Sequence, residues 1–297
     1  MFIFLMPHIP FTLYSGAGNE FVIIDAFNNP TVFGKIKLKA LAQTVSNRKG
    51  IIGSDGMIVI ARSPKAPFMM NFYNPDGSFG ALCGNGARCA VQAAVDFGVI
   101  SSPNTNFEVL GELVRAEQPS EKTLRVYYND PKKIKLKFKL SVSGDFVDCS
   151  YVDLGSQHGV IFLSGKSEVR SPMSEVIEDF DINTYGPLVR SHKDFEPLGV
   201  NANFAEIMHN DEGEYIRIRT YERGVEGETL ACGTGCMATA ISAYGLKKVS
   251  ALPVRLKTQS GEFVKVNFTT DTAGHVHELS LEGSAIRGKS GIVTVEG

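Results

Sequence analysis

A chain of 297 residues that is 43% hydrophobic and 21% charged has the apolar content for a substantial core and the length for two domains of ordinary size. Its formal net charge of -2 offers no global field to a polyanion, which argues against nucleic acid or an acidic membrane surface as partner and favours a small molecule. No apolar run approaches the roughly 18 residues that span a bilayer, and five cysteines without a secretory signal read as thiols in a reducing cytoplasm rather than as a disulfide framework.

In chain order, the apolar opening MFIFLMPHIPF lacks a basic region and is interrupted by Pro7 and Pro10, so a strand with a short extension is expected there, not a signal peptide. FTLY, the loop SGAGN and the strand FVIID follow, then a polar helix over 38–47 and the loop KGIIGSDG before the strand MIVIA. Asn74-Pro75-Asp76-Gly77 signals a turn between two apolar strands, and ARCAVQAAVDFGV has the spacing of a buried helix closed by Gly98. YNDPKK, around Asp130 to Lys133, is polar and turn-forming and marks a domain boundary. KIKLKFKL alternates lysine with Ile134, Leu136, Phe138 and Leu140, which predicts a strand with one wet face whose lysines guard a sheet edge. The second half repeats the plan with DLGSQHGVIFL, a polar helical stretch, the strands GVNANFAEIM and YIRIRTYERG, and ETLACGTG opening the helix MATAISAYG.

Two stretches echo each other: LCGNGARCA, with Cys83, and LACGTGCMA, with Cys232. In each, glycines flank a polar residue so that the backbone can turn sharply, and the helix that follows presents N–H groups to an anion. A cysteine at that point has its thiolate favoured by the helix end, with a pKa that can fall from about 8.5 to roughly 3.5–7.5. GNEFVIID and VNANFAEI also correspond, each with an asparagine just before a strand. The repeat predicts two domains of related fold, residues 1–131 completed by a returning strand within 281–297, and residues 132–280.

Two such thiols suit removal of the proton beside an amino acid's carboxylate, one acting as thiolate and the other as thiol, while Gly84-Asn85 and Gly233-Thr234 hold the charge that builds on that carboxylate. No metal, pyridoxal phosphate or nucleotide is then needed, and the sequence has no GxGxxG after a strand, no Walker loop, no HExxH and no paired CxxC. Structural burial is the alternative for all five cysteines, and it is the expected fate of Cys89 and Cys236. For Asn74 and Asp76 plain turn chemistry is the alternative, for Asn19 and Asn201 loop capping, and for Glu222-Arg223 a surface ion pair. His192, His209, His275 and His277 read as surface residues.

At these residues the chain resembles the diaminopimelate epimerases, a cofactor-independent family in the fold group of proline racemase. GAGNEFVIID is similar to the family's GxGNDFVxxD, NPDGSFGALCGNGARC to its first cysteine block, GVNANF to its asparagine strand, and YERGVEGETLACGTG to its second cysteine block. The resemblance covers nearly the whole chain. It implies an α+β fold of two pseudo-symmetric domains, each a mostly antiparallel sheet wrapped around a central helix. It implies epimerisation of LL- to meso-diaminopimelate, for lysine and peptidoglycan synthesis, with Cys83 and Cys232 as acid and base. Gly84, Asn85, Gly233 and Thr234 would then cradle the reacting carboxylate. Asn19, Asn74, Asn201 and Arg223 would hold the substrate, Arg223 forking onto its distal carboxylate, and Glu222 and His158 would meet the amino group.

Where the family has Gly-Asn-Pro-His, this chain has Gly155-Ser156-Gln157-His158. The distal grip is therefore altered, and a shorter dicarboxylic amino acid such as glutamate is an expected further substrate. Two other readings stand beside the epimerase: an amino-acid racemase of the same fold, and a non-catalytic amino-acid-binding protein, against which the retention of both thiols argues. Closure around the carbanion and sensitivity to oxidation of the two thiols are expected. A homodimer is compatible with the sequence.

Overall fold

The computed structural model describes residues 8–30, 37–50, 52–80, 82–164 and 176–294. The extension expected before the first strand and the first part of the polar helical stretch after Ser164 lie outside the described residues. The chain divides into two compact units, residues 1–127 with 282–297, and residues 128–281.

In the first unit β1 (His8–Gly16) turns through Ala17 and Gly18, both at positive φ, into the antiparallel β2 (Asn19–Asp25). After α1 (Leu38–Ser46), β3 (Gly56–Ala61) runs parallel to β2 and β4 (Met69–Tyr73) returns antiparallel. Then come α2 (Gly84–Asp96), β5 (Thr105–Val109), parallel to β4, and the antiparallel β6 (Glu112–Ser120) and β7 (Thr123–Tyr127). The returning strand β17 (Ile286–Thr294) pairs antiparallel with β1.

The sheet wraps α2, which touches β1, β2, β3, β4, β7 and β17. Glycine, alanine and cysteine dominate this helix and let strands approach closely: at Gly16 a Cβ would come 2.9 Å from the Asn85 carbonyl oxygen and 3.0 Å from Cys89 Sγ. On the other face α1 buries Leu41, Ala42 and Val45 against Ile9, Phe11, Val22, Ile24, Met57 and Val59. Each large side chain among these contributes about 1.5–3 kcal/mol.

The second unit begins with the antiparallel β8 (Lys133–Val142), β9 (Asp145–Asp153) and β10 (Gln157–Phe162). α3 (Ile182–Arg190) starts where Asp181 Oδ1 accepts the Thr184 N–H at 3.1 Å. β11 (Asn201–Asn210) is parallel to β10, β12 (Gly213–Glu222) antiparallel to β11, and the short β13 (Gly227–Thr229) folds back on β12. α4 (Gly233–Gly245) precedes β14 (Val254–Lys257), which is parallel to β12, the antiparallel β15 (Phe263–Thr270), and β16 (Val276–Gly283). α4 is buried from Gly235 to Ala243 and is wrapped by β9, β10, β11, β12, β14 and β15.

The pairing sequence is the same in both units: antiparallel, parallel, antiparallel, parallel, antiparallel along β1-β2-β3-β4-β5-β6 and along β9-β10-β11-β12-β14-β15. The expected α+β fold with a sheet around a central helix is therefore present twice. One detail differs from the sequence reading. Asn19 opens β2, whose counterpart is β10, whereas Asn201 opens β11, whose counterpart is β3, so the two asparagine strands are not equivalent.

Two local expectations are also corrected. Among the described residues no strand lies between the Asn74–Gly77 turn and α2; Phe79 makes an isolated bridge to Tyr73. His192 is not a surface residue: its Nδ1 accepts the Asp194 N–H at 3.2 Å, capping the turn Lys193–Phe195, and its Nε2 lies 3.0 Å from the Ser141 carbonyl. β8 pairs with β9, and Lys133, Lys135, Lys137 and Lys139 are exposed along it.

Candidate active site

Cys83 and Cys232 hold the same place in the two units, each capping the N-terminus of the central helix. Both are extended (φ -87°, ψ 116° and φ -118°, ψ 107°), and their carbonyls accept the first helical bonds, from Ala87 at 2.7 Å and from Cys236 at 2.9 Å. The N–H groups of the following turn, at Gly84-Asn85 and Gly233-Thr234, are the orphan donors of a helix start, and the helix dipole adds about half a positive charge. All five cysteines are thiols; Cys89, Cys149 and Cys236 lie in the cores, Cys232 is buried and Cys83 half-buried.

In the first unit a polar chain runs from the helix start. Asn85 Nδ2 donates to Asn19 Oδ1 at 2.7 Å, and Asn19 Nδ2 donates to Asp55 Oδ2 at 3.3 Å. Asp55 also accepts the Glu20 N–H at 2.9 Å and pairs with Arg48. From below, the fully buried Arg88 donates Nη2 to Asn85 Oδ1 at 2.8 Å. Asn74 stays with its turn, its Nδ2 donating to Ser78 Oγ at 2.9 Å.

In the second unit Cys232 Sγ lies 3.6 Å from Thr234 Oγ1, which is 3.3 Å from Ser156 Oγ, which is 2.9 Å from Nε2 of the fully buried His158. His158 Nδ1 faces Asn203 Nδ2 at 3.2 Å. Asn201 Nδ2 donates to the Gln157 carbonyl at 3.0 Å and its Oδ1 accepts the Arg223 N–H at 2.9 Å. Arg223 Nη1 donates to Gln157 Oε1 at 2.9 Å, so Gln157 is tied to the arginine. Glu222 Oε2 accepts Thr229 Oγ1–H at 3.0 Å.

Burial, and after it the Glu222 carboxylate, pushes the Cys232 thiol well above its ordinary range, against which the Thr234 hydroxyl and the Gly235 N–H favour the thiolate. Burial, with the Arg223 charge second, lowers the His158 pKa to about 3, so its imidazole is neutral. Among the described residues no group of three or more His, Cys, Asp or Glu side chains is arranged to hold a metal, and no helix is long and apolar enough to cross a membrane.

The first unit thus gathers Cys83, Gly84, Asn85 and Asn19, with Asn74 in its own turn. The second gathers Cys232, Gly233, Thr234, His158, Asn201, Glu222 and Arg223. Three participants were not singled out from the sequence. Arg88 stands four residues after Gly84 on the buried stretch of its helix. Asn203 shares the inward face of β11 with Asn201, an i,i+2 relation that a strand makes legible. Ser156 was noted only as a departure in the distal grip, yet it faces His158 and Thr234.

The family model for diaminopimelate epimerase matches residues 11–134 and 150–284. Among curated relatives, the diaminopimelate epimerase of Chlorobaculum tepidum is 35% identical over 282 residues, covering 95% of this chain and 100% of that protein. That of Aquifex aeolicus is 34% identical over 280 residues, covering 92% and 93%. Among solved structures, a phenazine biosynthesis protein of the PhzF family from Bacillus anthracis aligns with a TM-score of 0.73 at 14% identity, over 98% of this chain and 100% of that one. A hydroxyproline epimerase from Agrobacterium vitis aligns at 0.68 and 14%, over 98% and 94%. These two likenesses show the fold, and the sequence matches show the family: the chain belongs to the diaminopimelate epimerases.

Proposed function

We propose that the protein inverts the α-carbon of LL-diaminopimelate to give the meso isomer, as an isomerase of lysine and peptidoglycan synthesis working in the cytoplasm. The observation that carries this reading is the pair of cysteines capping equivalent buried helices, in a chain of this family. Carboxylate binding needs only the helix ends; a thiol on each is explained by proton transfer.

Burial and Glu222 keep Cys232 protonated at neutral pH, which makes it the resting acid. Cys83, half-buried at the other helix start, is the base for that direction. The thiolate of Cys83 takes the α-proton, the electron pair delocalises into the α-carboxylate, and the Cys232 thiol returns a proton to the opposite face, leaving one thiol and one thiolate exchanged. The N–H groups at Gly84-Asn85 and Gly233-Thr234 hold the carboxylate as its charge grows. Asn19 orients Asn85 through the 2.7 Å bond, and Asn74 completes the turn that enters α2. Glu222 meets the substrate's ammonium. Arg223, oriented by Gln157 and Asn201, takes the distal carboxylate. His158 has both ring nitrogens engaged within the protein, so it acts through Ser156 and not by touching the amino group.

The test is interconversion of LL- and meso-diaminopimelate by purified, reduced protein without added cofactor, with deuterium uptake at the α-carbon of L-glutamate and L-proline measured beside it. Turnover of diaminopimelate is expected. Exchange in glutamate would show that the Gln157-tethered Arg223 also accepts a shorter diacid, and exchange in none of the three would remove the catalytic reading.

A further inference from the structure

We propose that Ser156 is a positioning residue that aims a line of hydrogen-bond donors from His158 at Cys232. The proposal rests on the reading of Cys232 as a reacting thiol and adds to it the residue that makes its thiolate accessible.

The direction of the line follows from the atoms at its far end. The Asn203 amide is fixed by the Thr220 hydroxyl donating to its Oδ1 at 3.0 Å and by its Nδ2 facing the carbonyls of Gly159 at 3.0 Å and Asn201 at 3.1 Å. That nitrogen carries two hydrogens, shared among these carbonyls and His158 Nδ1, and cannot accept, so a proton on Nδ1 would find no acceptor there and the proton of the neutral ring sits on Nε2. Nε2–H therefore donates to Ser156 Oγ at 2.9 Å. The Ser156 hydrogen is then directed to Thr234 Oγ1 at 3.3 Å, and that of Thr234 to Cys232 Sγ at 3.6 Å. Every link donates toward sulfur, which stabilises a thiolate and not a thiol.

Serine fits the gap because a hydroxyl accepts and donates through a single oxygen. Its place is set by the β9–β10 turn, in which Gly155 at φ 90° donates its N–H to Asp153 Oδ1 at 2.8 Å and the Leu154 N–H donates to the Ser156 carbonyl at 3.1 Å. The other groups facing the sulfur are Glu222 from β12, which disfavours the thiolate, and Cys236 and the Gly235 N–H from α4. Arg223 acts on the His158 end. Against burial and the Glu222 charge, the donor line is what lets the acid give up its proton within a catalytic cycle.

The experiment measures alkylation of Cys232 by iodoacetamide at fixed, mildly alkaline pH, followed by mass spectrometry of its peptide, with the Cys83 peptide of the same sample as reference. Ser156→Ala is expected to slow Cys232 alkylation about tenfold, equivalent to about one pKa unit, with Cys83 unchanged. The smaller side chain can only ease access, so slowing reports thiolate population. Ser156→Thr, which keeps the hydroxyl, restores the rate, and Thr234→Val, which breaks the next link, reproduces the loss. With diaminopimelate, Ser156→Ala is expected to lower kcat about tenfold with KM within twofold. Cys232 alkylation at the wild-type rate in both Ser156→Ala and Thr234→Val overturns the proposal. Slowed alkylation without turnover of diaminopimelate supports the donor line and overturns the substrate assignment instead.

Discussion

Replacing Arg88 by methionine keeps most of the side chain's length and removes its donors. The guanidinium is fully buried; besides Asn85 Oδ1 at 2.8 Å, it serves the carbonyls of Ser284 at 3.2 Å and Gly84 at 3.4 Å. It lies flat over Gly283, where a Cβ would meet its Nη2, Cζ and Nε at 3.0, 3.2 and 3.3 Å. Hydrogen bonds from a charged donor are worth about 1.5–3 kcal/mol each, so the two shorter ones supply about 3–6 kcal/mol. Relief of the buried charge offsets part of this. A net loss of about 2–3 kcal/mol remains, which for a unit of this size lowers Tm by roughly 4–12 °C. Thermal unfolding of the full chain by calorimetry reads it directly. Turnover is expected to fall about tenfold as well, because Asn85 keeps its bond to Asn19 but loses the anchor on its other end. A variant that melts within about 1 °C of the parent and turns over at the parental rate refutes the reasoning.

Acid should destabilise the second unit through His158. Its folded pKa of about 3 lies below the ordinary 6.5, so the unfolded chain binds the extra proton, and stability is lost as pH falls from about 6.5 toward 3. Melting temperatures across that window check this, with a flatter profile expected in His158→Gln; His277, raised by its pairing with Asp130, acts in the opposite sense but is solvent-screened. Gly235→Ala would drive a methyl into Asn203 Oδ1 and to 3.3 Å from Cys232 Sγ, and a loss of about 1–3 kcal/mol with kcat reduced more than KM is expected from melting and steady-state kinetics. Gln157→Ala removes the shortest of three acceptors of Arg223 Nη1, leaving the Leu198 and Gly199 carbonyls at 3.4 and 3.3 Å, and is expected to raise KM for diaminopimelate roughly 2- to 10-fold, the worth of one hydrogen bond, with kcat unchanged.

The helix starts were legible because Cys-Gly-polar-Gly before an apolar run states both a turn and a cap, and the burial of α2 followed from its apolar spacing, while the central position of α2 and α4 was what the family resemblance implied. The alternation in KIKLKFKL gave β8 for the same local reason. What could not be read depends on partners distant in sequence. Arg88 looks like a polar intruder until Ser284 and Asn85 are brought to it. The donor line through Ser156 joins residues from the β9–β10 turn, β10 and α4, which no spacing connects. Asn19 and Asn201 share a local pattern at strand starts, but strand pairing assigns them to different places in the repeat. His192 has no motif because its role is to close a three-residue turn.

The most direct test of two-thiol inversion is the isotope content of both isomers during the first turnovers of LL-diaminopimelate in heavy water. With Cys83 and Cys232 each handling one face, the meso product carries solvent deuterium at the inverted carbon while the remaining LL substrate stays protiated. A product that retains the substrate's own hydrogen would mean one group serves both faces, contradicting a division of acid and base between the two cysteines.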